Sequence, residues 1–210
     1  MFSQFGGRLR AMRCAALGAA AAAVLGVAAP AHAVILTTFV SVTQGITLRV
    51  GSAGGTVDEV TFDVSNADVA PSPGVVTGGG VGAVLVTVSA DKTGLFSPST
   101  VTLTASSAAG LPCITVTTCA STVIPFSSIG WVSSNLDTGT NAGNDIQTGS
   151  FNGSASQQLA QFGLPNFIQT FLQGSSRTQM SNTLTFSYAN STLYPAGSYQ
   201  GRVTFTAAMN

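Results

Sequence analysis

The chain has 210 residues, of which 7% are charged: seven Lys and Arg against seven Asp and Glu, with one His and a formal net charge of +0 at pH 7. So few cations exclude the basic footprint of a protein that binds nucleic acid or anionic lipid. The low charge does not indicate disorder, because Val, Ile, Leu and Phe recur throughout and alternate with polar residues.

The chain opens with Arg8, Arg10 and Arg13, then an almost unbroken run of Ala, Leu, Val and Gly from Cys14 to Ala29, then Pro30-Ala31-His32-Ala33. A basic start, an apolar run and small residues at the peptidase positions are the layout of a secretory signal, here a helix cleaved between Ala33 and Val34. The expected location is therefore exported: periplasm, cell surface or extracellular. Cys14 precedes the apolar run, which argues against a lipid-modified cysteine at the mature start. Beyond Ala33 no apolar stretch is long enough to span a bilayer, so no transmembrane segment is expected after cleavage. Cleavage also removes His32, the sole histidine, and leaves Arg49, Lys92, Arg177 and Arg202 against all seven acids.

Period-two alternation then dominates. Val34–Val42 is β-branched and reads as a strand directly after the cut. Ile46–Val50 alternates cleanly. In Val57–Val64 the residues Val60, Phe62 and Val64 share one face, with Glu59, Thr61 and Asp63 on the other. Val84–Val88 and Val101–Thr104 follow, separated by breakers at 51–55, 71–74 and 78–80. The second half repeats the texture: Ser128–Val132 with the only tryptophan, a Gly/Asn/Asp loop over Asn135–Asp145, then strands over Ile146–Gly153 and Gln157–Phe162. Phe167, Ile168, Phe171 and Leu172 have helical spacing. Asn182–Tyr188 and Gly201–Thr206 form the closing pair, with a turn at Tyr194–Tyr199. Many short alternating runs between turn signals point to an all-β, antiparallel sandwich or barrel. Residues 34–210 read as a single domain, with a subdivision conceivable near 111–125.

Cys113 and Cys119 form an even pair in an oxidising compartment and are expected to be disulfide-bonded. Closing so short a loop contributes about 2–3 kcal/mol in the loop-entropy picture. Loss of His32 removes every Ser-His or Cys-His nucleophile and every histidine metal site. Lys92, the only lysine, sits in Asp91-Lys92-Thr93-Gly94, which reads as a polar turn and not as a catalytic dyad. Glu59 and Asp63 lie on a solvated face with Asp58 on the other side, and this does not favour a hydrolytic carboxylate pair. No enzyme is expected and no catalytic residue is assigned. The best site candidate is the 135–145 loop, where Asp137, Asn141, Asn144 and Asp145 offer the oxygen ligands calcium prefers. Plain turn chemistry explains the same residues. Trp131, Tyr188, Tyr194 and Tyr199 have the rings a glycan module would use. Against this, Trp131 reads as core, and Tyr199, following Pro195-Ala196-Gly197-Ser198, reads as a tyrosine corner whose hydroxyl ties the turn to backbone.

The closing segment Leu193-Tyr-Pro-Ala-Gly-Ser-Tyr-Gln-Gly-Arg-Val-Thr-Phe-Thr-Ala207 follows the export signal and the Thr/Ser/Gly-rich strands. It is similar to the terminal strands of bacterial pilin-like and other surface immunoglobulin-like sandwich proteins, the likeness lying mainly in residues 182–210. The resemblance implies an immunoglobulin-like antiparallel β-sandwich and a non-enzymatic structural or adhesive protein. Such a fimbrial-type subunit joins itself or other surface subunits by strand addition. Val34–Val42 would be the donor strand. Pairing of that segment within its own domain is the alternative. A secreted binding module for glycan or calcium is the second functional expectation.

Overall fold

The structure is a computed structural model that describes residues 44–51, 58–69, 74–81, 83–92, 100–139, 141–164 and 177–210. The expected leader with its cut at Ala33 and Val34, the expected strand Val34–Val42 and the helically spaced Phe167 to Leu172 lie outside those residues.

The strands are β1 (Gln44–Val50), β2 (Val60–Thr61), β3 (Val76–Thr77), β4 (Gly79–Gly80), β5 (Ala83–Lys92), β6 (Thr100–Ser106), β7 (Leu111–Pro112), β8 (Val123–Ile124), β9 (Ile129–Ser134), β10 (Gly149–Ser150), β11 (Gln157–Gly163), β12 (Arg177–Tyr188) and β13 (Thr204–Met209). One helical turn, α1 (Val116–Cys119), lies between β7 and β8. All described pairings are antiparallel, which establishes the all-β class. The larger sheet runs β1-β5-β12-β9-β10, with β3 beside the end of β12. The smaller runs β11-β6-β13. Two minor ribbons, β2-β4 and β7-β8, complete the set. Among the described residues no helix is long and apolar enough to cross a membrane.

The register follows from the alternation. A slip of one residue would turn every apolar side chain to the other face, so burying one face fixes the pairing. Leu48 thus faces Val88, Val88 faces Met180, and Phe186 faces Trp131 across the larger sheet. In the smaller sheet Leu103 is flanked by Ala160 and Ala207, and Val101 by Phe162 and Met209. The buried faces of both sheets enter one hydrophobic core. Its innermost side chains include Val86, Val88, Leu103, Phe162 and Leu184, each worth about 1.5–3 kcal/mol on burial.

Two expected strands are much shorter than the alternation implies. Val57–Val64 contributes only Val60–Thr61, and Val64 is exposed. Its partner is the dipeptide Gly79–Gly80, and a ladder extends only as far as the opposing backbone. Ile146–Gly153 contributes only Gly149–Ser150, paired to Gly130 and Trp131. Ile146 is nevertheless fully buried: its side chain fills the core from a loop, so burial produced the apolar signal without a strand. Conversely, β12 begins at Arg177, earlier than Asn182, because β5 continues to Lys92 and supplies a partner along that length.

Candidate functional site

The 135–145 loop is organised around Asp145, which is 2% exposed. Its Oδ2 accepts the Asp137 backbone N–H at 2.8 Å and the Asn182 Nδ2–H at 2.8 Å, and its Oδ1 accepts from Gln147 Nε2 at 2.5 Å. Asn182 is itself fully buried on the core face of β12, and its Oδ1 accepts the Ile146 N–H at 3.2 Å. Each buried polar atom in this group thus has a partner, as burial requires. Asp137 uses its other functional group locally, Oδ1 accepting the Gly139 N–H at 2.7 Å in an Asx turn. Asn141 is buried and its carbonyl takes the Asn144 N–H at 2.9 Å. Asn144 is exposed, and its carbonyl receives the Gln161 N–H at 2.9 Å, fastening the loop to β11. Of the four expected oxygen ligands, the structure joins Asp137 to Asp145 directly and leaves the Asn144 side chain at the surface. Among the described residues no three His, Cys, Asp or Glu are gathered for a metal. Asn182 was not legible as part of this group, because its contact with Asp145 spans 37 residues.

The acids around β2 are not assembled. Asp58 is half-buried against Gly51, which has φ of +96° and where a Cβ would collide with that carboxylate. Glu59 and Asp63 are exposed.

Cys113 and Cys119 are disulfide-bonded, with Cα atoms 5.9 Å apart. The bond closes the β7-α1-β8 ribbon, and the 194–199 turn rests on it. Gly197 packs so tightly on the Cys119 side chain that a Cβ would collide with it. The Thr115 hydroxyl accepts the Ser198 N–H at 2.6 Å, and the Ile114 N–H reaches the Ser198 carbonyl at 2.8 Å. Within the turn the Tyr199 hydroxyl donates to the Pro195 carbonyl at 2.8 Å, as expected of a tyrosine corner. Trp131 is buried, donates Nε1–H to the Gln147 carbonyl at 2.8 Å and packs on Phe151 with ring centroids 4.8 Å apart.

Tyr188 and Tyr194 occupy a different setting. Together with Pro125, Ser127, Ser128, Ala189, Ser191 and Thr192 they line a cleft of about 160 Å³. Tyr188 ends β12 and is 7% exposed. Burial pushes its hydroxyl pKa above the ordinary phenol value, and the nearby Tyr194 and Tyr199 phenols push it the same way. The loop carrying Ser191 and Thr192 is anchored by Asn190, which is buried, adopts φ of +47° and donates Nδ2–H to the Asp68 carbonyl at 2.9 Å. Asp68 in turn caps its own 3₁₀ turn. The Ser65 hydroxyl and N–H hold its carboxyl below the ordinary range.

The sheet margins form the second candidate surface. Among the described strands β1 pairs only with β5, and β13 only with β6. β1 and β13 nevertheless approach with Cα atoms within 8 Å and share no described ladder. Phe205 and Ala207 of β13 are buried in the core. No protein-family model and no curated protein matches the chain.

Proposed function

We propose that this chain is an exported, non-enzymatic structural or adhesive protein, a fimbrial-type subunit with an immunoglobulin-like sandwich that assembles by β-strand addition. The observation that carries the reading is the pair of margins on β1 and β13, close together and each with a described partner on one side only. An unpaired row of N–H and C=O groups is a template for another strand, and a margin bordering the core also offers alternate side chains a place to bury. Val34–Val42 supplies a suitable strand: Val34, Leu36, Val40 and Val42 fall on one face by period two. On this reading the leader delivers the chain beyond the inner membrane, and the donor segment reaches the margin of a neighbouring copy or related subunit.

The test is assembly of residues 34–210 as a function of concentration. Expected are oligomers that survive in an unheated denaturing gel, growing into filaments visible by electron microscopy, and their loss when residues 34–42 are deleted. A protein that remains monomeric at high concentration with residues 34–42 intact would contradict the proposal.

A further inference from the structure

We infer that the cleft between Tyr188 and Tyr194 is a binding site for one neutral sugar ring, the terminal hexose of a glycan chain. The inference is independent of strand addition and stands on the geometry of the cleft alone.

Size sets the first constraint. At about 160 Å³ the cleft lies below the several hundred Å³ typical of sites for drug-sized ligands, which matches a single sugar ring. Chemistry sets the second. Among the described residues the lining has no charged side chain, which disfavours phosphate, carboxylate and ammonium ligands. Its lining instead includes the hydroxyl-bearing residues Tyr188, Ser127, Ser191 and Thr192 together with Tyr194. Hydroxyls both donate and accept, which matches the alternating donor and acceptor character of a polyol. An aromatic face carries negative quadrupole charge and attracts the weakly positive C–H groups on the flat side of a pyranose.

Tyr188 provides the independent observation. Its side chain is more than nine-tenths buried, yet its hydroxyl makes no hydrogen bond among the described residues. Nor is that oxygen among the buried side-chain atoms sealed away without a partner. The hydroxyl is thus reachable from solvent, and Tyr188 lines the cleft. A phenol is protonated at neutral pH, so the group can act as a hydrogen-bond donor.

The walls are fixed before any ligand arrives. The Ser128 hydroxyl is tied to the Pro125 carbonyl at 2.7 Å. Tyr199 and the Gly197–Cys119 contact hold the turn that carries Tyr194, and Asn190 holds the loop that carries Ser191 and Thr192. Preorganised walls reduce the ordering cost of binding. The cleft is shallow and holds one ring, so a millimolar Kd is expected.

The experiment is an amide-resolved NMR titration of the folded protein with neutral methyl hexosides of the gluco, galacto and manno series. Saturable shifts at Ser127, Ser128, Ser191 and Thr192 with at least one of them are expected. Tyr188→Phe removes only the hydroxyl and should weaken that binding about three- to tenfold, the worth of one neutral hydrogen bond. Ser191→Ala combined with Thr192→Ala should weaken it further, with the rest of the spectrum unchanged in both variants. Absence of saturable shifts with all three hexosides overturns the inference. So does binding undiminished in both variants, or a response to glycerol equal to that with the hexosides.

Discussion

Trp131→Ala is expected to lower the free energy of unfolding by about 3–5 kcal/mol, the range for removing a large buried aromatic side chain. Trp131 sits where β9, β12 and β10 meet, with Phe186 opposite it on one side and Gly149 on the other. Gly149 lies beside the indole, where a Cβ would stand 3.4 Å from the ring in ordinary van der Waals contact. Around the indole, Phe151 and Phe186 stack with centroids 6.0 Å apart and Phe126 meets Phe151 edge-on at 5.9 Å, so truncation opens a void that three rings cannot easily fill. It also deprives the Gln147 carbonyl of its donor. Because this is the only tryptophan, unfolding in urea must be followed by circular dichroism. Trp131→Phe keeps much of the bulk and should cost less than the alanine variant, part of its loss, about 1 kcal/mol, coming from the hydrogen bond. A midpoint for Trp131→Ala within error of the parent would show that the aromatic cluster does not hold the sheet.

The second large effect is expected at Asp145. Asp145→Asn should cost about 2–3 kcal/mol, because a charged acceptor of three hydrogen bonds becomes a neutral group with one acceptor and two donors. Its new N–H groups would face either the donors of Asp137 and Asn182 or that of Gln147, according to which oxygen the amide nitrogen replaces. In the first case Asn182, fully buried in β12, loses its Asp145 acceptor, and in either case the remaining hydrogen bonds lose their charge assistance. Asp137→Asn is the matched control: its side chain accepts one local N–H near the surface, so the loss should stay under about 1 kcal/mol. Equal losses for the two variants in thermal or urea unfolding would mean that the buried group does not anchor the loop.

These positions also show what a single sequence conveys. Period two located β1, β5, β6, β9, β11 and the later part of β12, because one buried face writes itself into alternate residues. It failed where burial and strand pairing part company. Ile146 is core without being in a strand, and Phe62 is half-buried beyond the end of a two-residue β2. Asn182 interrupts the apolar face of β12 with a polar residue whose partner lies 37 residues away, and no local pattern encodes such a pair. The tyrosine corner was legible because the turn residues and the ring are adjacent in sequence. The cleft was not: Tyr188 comes from the end of β12, Ser127 from the turn before β9, and Thr192 from a loop anchored to Asp68. The disulfide could be paired from two cysteines, but its role as the seat of the 194–199 turn required the Gly197 contact.

The central claim is the proposal that the segment 34–42 completes a neighbouring copy. It is tested most directly by cross-linking a mixed population. Residues 34–210 carrying Val40→Cys and Thr206→Cys would be prepared with light and with heavy nitrogen, mixed, assembled and oxidised. Peptides spanning position 40 and position 206 would then be weighed. Strand addition predicts cross-linked peptides of mixed isotope composition, one half light and one half heavy. Cross-links containing only light or only heavy peptide would show that the segment closes its own domain and would contradict the account.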